Sequence, residues 1–313
     1  MNTKQTTPST KPLEAPQENR DLAILTVAYK SDHSLIKLAS SIAKQSIKPA
    51  AWLIVDNSPA NLRLNPECLQ LCGETIKIHV LTGQEDAGFA AGCNTGLQWL
   101  DEQKWAGWAW LLNPDTIFCD DNTIAKIIRD QHGFPVNALI GTAVRDSNGE
   151  LEQSAGWINQ GLNFRKQRIS QANLPDPESA STIIDVNWLS GCSMLLQPAI
   201  LKQSPRFDEQ FPLYYEDLDF CLRQAAHGIG VVWSNVVTVQ HQRGEGSRTP
   251  SQRRLRLSTV GYLRFLQRHR PRWQLYLRSL RLLIMAFGRL PVQPRRALAV
   301  LQGWWEAMRY PIQ

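Results

Sequence analysis

The fold class follows from one segment, Trp52-Leu53-Ile54-Val55-Asp56-Asn57-Ser58-Pro59, in which four apolar residues stop abruptly at a cluster of turn-forming residues. A short apolar run that contains β-branched residues and ends in such a cluster predicts a buried strand. Three other segments have the same design and predict three further strands: 22–27 (LAILTV), 76–81 (IKIHVL) and 108–112 (WAWLL).

Helical segments alternate with these strands. Residues 34–46 carry Leu35, Leu38 and Ile42 on one face, and a second helix is predicted through 94–101, after a loop that contains glycine. Strand and helix in alternation, with continuously apolar strands, are typical of a mainly parallel sheet covered by helices on both faces. The sequence therefore predicts an α/β fold.

Polar residues gather just beyond the predicted strands. Asp56 follows the second strand, a glycine-rich loop at 88–96 follows the third, and Asp115 follows the fourth. In open α/β sheets, ligands bind outside the carboxyl ends of the strands. We therefore expect these three segments to converge on one crevice.

The second half of the chain is less regular. Residues 186–196 are predicted to form one strand interrupted by Gly191, where a ligand or the backbone could approach closely. Residues 215–227 have helical spacing. Two more short strands are predicted within 231–239, and the last of them runs into His241.

Composition excludes several classes of protein. The 313 residues are 43% apolar and 20% charged, which rules out collagen, a coiled coil and wholesale disorder. Residues 1–20 are polar and lack the apolar core of a signal peptide, so we expect a disordered leader and no export. The six cysteines form no CxxC pair and are expected to be reduced packing residues of a cytosolic protein. The chain contains no apolar run of about 18 residues, so no membrane-spanning helix is predicted.

Three motifs beyond the strand ends could carry chemistry, and each has a structural alternative. Asp56 could accept hydrogen bonds from a base or a ribose, or it could cap a turn. Residues 86–96 (DAGFAAGCNTG) could expose backbone N–H groups to a phosphate or form a close-packed loop, and they match neither GxGxxG nor a P-loop. Asn113-Pro114-Asp115 could hold a hard divalent cation or form a turn.

Two further motifs are an acidic cluster and a histidine. The segment 214–219 (YYEDLD) has three carboxylates within four residues, where mutual repulsion can raise the pKa of one carboxyl and make it a general base. The alternative is an acidic first turn of a helix, which the helix dipole stabilises; here we favour the functional interpretation. His241 could ligate a metal, although a single histidine is more often structural.

In this order the motifs resemble those of the family 2 glycosyltransferases, and within that family the rhamnosyltransferase-like branch. The resemblance covers residues 21–245 and rests on 55–58 (VDNS), 87–96 (AGFAAGCNTG), 111–115 (LLNPD), 188–192 (WLSGC), 207–209 (FDE), 214–223 (YYEDLDFCLR) and His241. It implies a GT-A fold, a nucleotide-diphosphate sugar as donor, a divalent metal (Mg²⁺ or Mn²⁺) and inversion at the anomeric carbon. The chain is then divided into a leader at 1–20, a GT-A domain at 21–245 and a basic helical extension at 246–313.

The resemblance also implies roles for individual residues. Asp217 would be the base that deprotonates the acceptor hydroxyl, and Glu216 would position the acceptor or the base. Asp115 and His241 would ligate the metal. The residues expected to contact the donor are Thr26, Ala28, Tyr29, Asp56, Gly88, Phe89, Asn94, Asn113 and Asp115. Those expected to contact the acceptor are Trp188, Gly191 and Tyr215.

A single displacement is the reaction that this resemblance implies. The metal neutralises the leaving diphosphate while the base activates the incoming hydroxyl on the opposite face of the sugar. The predicted donor is dTDP-rhamnose, with UDP-sugars as the alternative, and the predicted acceptor is a lipid-linked or polymeric glycan at the cytoplasmic face of the membrane. Two other functions stay open: a catalytically silent sugar-nucleotide-binding scaffold, and a nucleotidyltransferase, which the glycine-free segment 28–31 (AYKS) disfavours.

Charge is divided unevenly along the chain. Residues 241–313 hold 15 arginines, no lysine and two glutamates, a formal charge of +13, whereas residues 1–240 carry −7. From Arg253 onward the spacing predicts amphipathic helices. We favour an extension that lies on an anionic membrane surface through 253–313; packing on the acidic body and a homodimer interface are the alternatives. No nucleic-acid-binding motif accompanies the charge, so no nucleic-acid partner is predicted.

Overall fold

Twelve β-strands and seven α-helices make up the part of the chain that this computed structural model describes, which is residues 22–65, 67, 69, 76–158, 166–169, 182–203, 206–242 and 251–312. The leader predicted at 1–20 lies outside the described residues. The strands are β1 (Leu22–Ala28), β2 (Ala51–Asp56), β3 (Ile78–Thr82), β4 (Trp108–Leu112), β5 (Thr116–Phe118), β6 (Ala138–Arg145), β7 (Ala155–Ile158), β8 (Lys166–Arg168), β9 (Ile183–Asp185), β10 (Trp188–Leu189), β11 (Ser193–Leu196) and β12 (Gly230–His241). The helices are α1 (Asp32–Ala43), α2 (Gly88–Glu102), α3 (Thr123–Asp130), α4 (Glu216–Ala226), α5 (Gln252–His269), α6 (Arg272–Arg289) and α7 (Pro294–Arg309).

One large sheet organises the fold. Its strands lie in the order β3-β2-β1-β4-β11-β6-β12-β5, and β9 pairs with β12. The first four strands are parallel to one another, as are β6 and β12, whereas β11 runs antiparallel to both of its neighbours. A small antiparallel sheet, β10-β7-β8, lies apart from it. The predicted α/β fold with a mainly parallel sheet is therefore confirmed.

Helices cover both faces of the large sheet. On one face Leu38 of α1 and Ile124 of α3 pack in a cluster that also contains Trp110 of β4. On the other face Leu97 of α2 and Phe220 of α4 belong to a second cluster. Strands β2 and β4 are buried along their whole length, which is why each forms an unbroken apolar run in the sequence.

The glycine-rich segment 88–96 is a helix, not the loop that the sequence predicts. Gly88 begins α2 with a left-handed φ of 86°. A Cβ atom at Gly92 or at Gly96 would collide with the side chains of Val27 and Leu25 on β1. These two glycines therefore let α2 lie directly on the sheet, which is a packing role.

Strand boundaries in the second half also differ from the prediction. Residues 186–196 are two strands, β10 and β11, which belong to different sheets and are separated by a turn at Gly191. The two short strands predicted within 231–239 are one strand, β12, whose pairing register with β6 shifts between Ser234 and Thr238. Pairing with distant segments fixes these boundaries, and local sequence does not contain that information.

The three C-terminal helices pack against one another and against the body. Val260 and Leu266 of α5, Leu275 of α6 and Ala307 of α7 share one buried cluster. Phe265, on α5, belongs instead to a cluster with Trp188, Phe211 and Leu218 of the body. The predicted helical extension is therefore present and continuous with the body. None of the described helices combines the length and the apolar character that crossing a bilayer requires.

Candidate active site

A crevice at the carboxyl ends of β1, β2 and β4 contains two adjoining cavities. The first, of about 760 Å³, is lined by Glu152, Glu216, Asp217 and His241 among others, and we call it the acidic cavity. The second, of about 550 Å³, is lined by Tyr29, and we call it the Tyr29 cavity. Five residues line both cavities: Phe89, Asn113, Asp115, Leu213 and Arg254.

Asp217 faces the acidic cavity from the first turn of α4. The two residues before this helix, Tyr214 and Tyr215, have left-handed φ angles of 62° and 69°, a conformation that costs energy in non-glycine residues and is common at functional sites. The Asp217 carboxylate accepts backbone hydrogen bonds from Gly191 at 3.2 Å and from Leu218 at 2.8 Å. These donors orient a carboxylate that lines the cavity, so it can accept a proton from a bound hydroxyl.

Gly191 is required by the shape of this cavity. A Cβ atom at this position would lie 2.6 Å from the ring of Phe89, which lines both cavities. The sequence predicts a close approach by a ligand or the backbone at Gly191, whereas the structure has an aromatic side chain of α2 there. The same residue supplies the N–H group that Asp217 accepts.

His241 lies between two carboxylates at the other side of the acidic cavity. Its Nε2 atom is 3.1 Å from Oδ2 of Asp115, and its Nδ1 atom is 3.1 Å from Oε2 of Glu152. Burial lowers the pKa of His241, but the hydrogen bonds and negative charges of the two carboxylates outweigh burial and raise its pKa to about 9. In this arrangement Glu152 fixes the orientation of the imidazole ring.

Asp115 and His241 have the ligand chemistry of a divalent-cation site. Divalent ions such as Mn²⁺ accept both carboxylate oxygens and imidazole nitrogens as ligands. Both residues line the acidic cavity. Glu152 behind His241 is the kind of outer partner that metal-bound histidines have. Among the described residues, no three His, Cys, Asp or Glu side chains could hold a metal together. The residues fit a cation that displaces the imidazole proton of His241 and takes its remaining ligands from substrate and water.

The Tyr29 cavity combines hydroxyl, amide and charged groups. Arg253 of α5 donates a hydrogen bond to the Tyr29 hydroxyl at 3.2 Å and lies 3.2 Å from the carboxylate of Asp86. Asn57 donates to the Gly88 carbonyl at 2.7 Å, which ties the turn after β2 to the start of α2. Because Lys30 and Arg254 also line the cavity, it can accommodate a polar ligand with negative charge.

Three residues expected to contact a nucleotide donor are buried instead. Ala28 is 1% exposed, and the Thr26 hydroxyl accepts a hydrogen bond from the indole of Trp52. The Asp56 carboxylate is 3% exposed and accepts N–H groups from Ser58 at 2.9 Å and from Leu64 at 2.7 Å. Asp56 therefore caps the turn after β2, which is the structural alternative that the sequence left open. The donor contacts expected from the Asp56 side chain and from the backbone of Thr26 and Ala28 stay predictions.

Three other predicted site residues also lie away from both cavities. Asn94 bonds both backbone groups of Phe207, and Trp188 is buried in the cluster beneath α5. The Tyr215 ring packs on Tyr262 and on Phe265 of α5, and burial raises its pKa to about 12. The neighbouring Tyr214 lines the acidic cavity in its place.

Several residues that line the crevice were not predicted from the sequence. Asn57 had a signal, because it belongs to the turn that follows the second strand. Glu152 lies in an irregular segment with no motif. Arg253 and Arg254 were interpreted only as part of a basic extension, since nothing in local sequence tells which body residues a distant helix meets.

Comparison with known sequences gives two relatives that are transferases. Agl10, a hexosyltransferase of low-salt glycan biosynthesis in Haloferax volcanii, is 25% identical over 224 residues, which are 71% of this chain and 67% of the relative. The N-acetylglucosaminyl-diphospho-decaprenol L-rhamnosyltransferase of Mycobacterium tuberculosis is 23% identical over 322 aligned positions, which cover 90% of this chain and 98% of the relative.

Comparison with solved structures and with family models identifies the fold and the family. The structure of GalNAc-T7 with UDP, GalNAc and Mn²⁺ has a TM-score of 0.56 and 13% identity over 92% of this chain, and the chain spans 55% of its length. This likeness shows the fold alone, which is the GT-A fold. The Glycosyl transferase family 2 model matches residues 23–191, more than half of the chain. The chain therefore belongs to glycosyltransferase family 2 and is a glycosyltransferase.

Proposed function

We propose that the protein moves a sugar, with rhamnose as the first candidate, from a nucleotide diphosphate to a hydroxyl group of a lipid-linked or polymeric glycan. One observation carries the proposal: a backbone-oriented carboxylate, Asp217, and a carboxylate–imidazole pair with the ligand chemistry of a cation site, Asp115 and His241, line the same cavity. An inverting transfer needs these two kinds of group, one for the incoming hydroxyl and one for the leaving diphosphate.

The donor would lie along the crevice with its nucleoside in the Tyr29 cavity and its sugar in the acidic cavity. Tyr29, Asn57 and Lys30 offer hydrogen-bond donors to the nucleoside end. Asp115 and His241 would hold a divalent cation, which supplies charge neutralisation for the diphosphate when it is bound. Phe89 lines both cavities and gives their junction an apolar wall.

Asp217 would act as the general base. Its carboxylate takes the proton of the acceptor hydroxyl as the hydroxyl oxygen attacks the anomeric carbon. The Gly191 N–H group holds the carboxylate in place through the reaction. Glu216, the first residue of α4, is 6% exposed and lines the same cavity, so it would position the acceptor or the base.

Helix α6 supports an acceptor that is bound to a lipid. Its buried side consists of Gln274, Leu275, Ser279 and Ala286. Its larger apolar side chains face solvent instead, each between 49% and 63% exposed: Trp273, Tyr276, Leu277, Leu280, Ile284 and Phe287. An apolar face on an arginine-rich helix is complementary to an anionic bilayer. A second copy would bring the same positive charge, which disfavours the homodimer alternative.

The sugar and the acceptor class are suggested by the relatives. The M. tuberculosis relative is named for rhamnosyl transfer to N-acetylglucosaminyl-diphospho-decaprenol, and the H. volcanii relative for hexosyl transfer in glycan biosynthesis. A lipid-linked acceptor agrees with the exposed face of α6. We therefore place the reaction at the cytoplasmic face of a membrane.

A transfer assay tests the proposal. The full chain is incubated with N-acetylglucosaminyl-diphospho-polyprenol, with Mg²⁺ or Mn²⁺, and with dTDP-rhamnose or a panel of UDP-sugars. We expect a glycolipid enlarged by one sugar, with inverted anomeric configuration. Nucleotide binding without transfer to lipid-linked or polymeric glycans would favour the silent scaffold and contradict the proposal.

A further inference from the structure

Arg254 lies where the two cavities of the crevice join. Of the five described residues that line both cavities, two are charged, Asp115 and Arg254, and Arg254 is the one cation. No carboxylate of the described residues lies within ion-pair distance of its guanidinium, whereas the neighbouring Arg253 is paired with Asp86. A cation in this position is available to a ligand that spans both cavities.

Helix α5 holds Arg254 in place. Ser251 caps the helix and accepts the Arg254 N–H group at 3.2 Å. At the other end of the helix, Arg268 lies 2.6 Å from Asp208, and His269 lies 2.8 Å from the fully buried Asp219 of α4. The helix is thus anchored to the body at its far end, and its first turn is presented to the crevice.

We propose that Arg254 binds the diphosphate of the sugar donor, so that the C-terminal extension completes the donor site. This inference rests on the proposed donor class. A donor with its nucleoside in the Tyr29 cavity and its sugar in the acidic cavity has its diphosphate at the junction, beside Asp115. A guanidinium there can bind two phosphate oxygens at once, and the positive end of the α5 dipole adds to the attraction.

Calorimetric binding of UDP, dTDP and the corresponding nucleosides in the presence of Mn²⁺ tests this role. In Arg254→Gln we expect the affinity for the nucleoside diphosphate to fall about 10- to 100-fold, because a charge-assisted contact is lost, while nucleoside affinity stays the same. Arg254→Lys keeps the charge without the bidentate geometry and should be intermediate. Arg256→Gln is the matched control, since Arg256 lies on the same helix, lines neither cavity and faces Glu306.

The outcomes separate this inference from the proposed function. Arg254→Gln binding UDP or dTDP as tightly as the wild type would overturn the role of Arg254 and leave the donor class intact. If Arg254→Gln weakened the binding of nucleosides and nucleoside diphosphates equally, the role of Arg254 would also be overturned, because the substitution would then not act through the diphosphate. A wild-type chain that binds neither UDP nor dTDP would overturn the donor class, and this inference with it.

Discussion

At the scale of single residues, the acidic cluster at the start of α4 contains carboxylates in different surroundings. Asp217 lines the acidic cavity, whereas Asp219 is 0% exposed and contacts Arg223, Arg268 and His269. Sequence analysis offered catalysis and helix stabilisation as alternatives for the whole cluster. Asp219 has a structural role in these ion pairs, whereas catalysis by its neighbour Asp217 stays a prediction. The distinction was not predictable, because two of the partners of Asp219 lie about fifty residues later in the chain.

Asp217→Asn tests the base at this scale. The amide can still accept the Gly191 N–H group, but it cannot take a proton from the acceptor. We therefore expect the transfer rate to fall about 100- to 10,000-fold with donor affinity unchanged. Steady-state rates and calorimetry measure the two effects. Asp130→Asn, at an exposed pair with Arg129, is the control; unchanged turnover in Asp217→Asn would show that another group is the base.

Asp219 makes stability depend on pH. Burial raises the pKa of this carboxyl, but hydrogen bonds from His269 and Arg223 and the charges around it outweigh burial and lower the pKa below its usual value. The stability that the ionised group contributes is present above about pH 4, its unfolded-state value, and is lost as pH falls through the lower folded-state pKa.

Denaturant unfolding between neutral and acid pH measures this contribution. Asp219→Asn removes the buried counter-charge of the partly buried Arg223 and Arg268, so we expect the free energy of unfolding at pH 7 to fall by about 3 kcal/mol. The variant should also lose less stability than the wild type on acidification. Parallel stability curves for the two proteins would mean that Asp219 is not the group that titrates.

At the scale of elements, the sequence predicted the strands and helices whose formation depends on a local pattern of apolar residues. Apolar runs identified β1, β2 and β4, which are buried between helical layers. The helical spacing of apolar residues identified α4 and the C-terminal helices. The glycines of α2 were misinterpreted, since a helix that packs on glycine resembles a loop in sequence. Strand β6 was not predicted, and its Gly141 is explained only by the close approach of Leu189 from β10.

Gly261 in the middle of α5 provides a test at this scale. A Cβ atom there would lie 2.7 Å from the carbonyl oxygens of Leu213 and Tyr214, the strained segment before α4. Because backbone atoms cannot move aside cheaply, Gly261→Ala should displace α5 from the crevice. We expect a lower melting temperature and weaker transfer, although alanine favours the helix by about 1 kcal/mol.

Gly288→Ala is the matched control for that substitution. It lies near the end of α6, and an added Cβ atom would meet no other atom within 4 Å. Only the higher helix preference of alanine should therefore act at this position. We expect unchanged or slightly raised stability and a normal transfer rate. Equal behaviour of the two variants in thermal unfolding would mean that α5 does not need its close contact with the body.

At the scale of the whole molecule, the structure accounts for the opposite charges of the two parts of the chain. Some arginines of the extension pair with acids of the body, as in Arg253 with Asp86 and Arg268 with Asp208, so α5 is part of the enzyme rather than a separate tether. Helix α6 is different, because its apolar face is turned outward. The basic extension therefore contains one helix that is docked on the body and one with an outward apolar face, which composition alone could not separate.

Flotation with phospholipid vesicles tests the outward face of α6. The double variant Leu280→Glu/Ile284→Glu changes two side chains that are 56% and 63% exposed, so the fold should tolerate it. Loss of their burial in lipid should weaken binding to phosphatidylglycerol-containing vesicles more than about tenfold. Binding of the wild type should weaken with salt, which screens the attraction to anionic headgroups, and on vesicles of phosphatidylcholine alone, which have no net negative charge.

A matched variant on the body separates this effect from added negative charge. Leu62→Glu/Val136→Glu alters two apolar residues that are 47% and 69% exposed, and it changes the net charge by the same amount. If α6 lies on the bilayer, this control floats like the wild type, because long-range repulsion alone does not remove an inserted apolar face. If both double variants lose binding equally, the attraction is a general electrostatic one. If neither loses binding while the α6 variant alone dissociates a dimer in analytical ultracentrifugation, the outward face of α6 is a subunit interface instead.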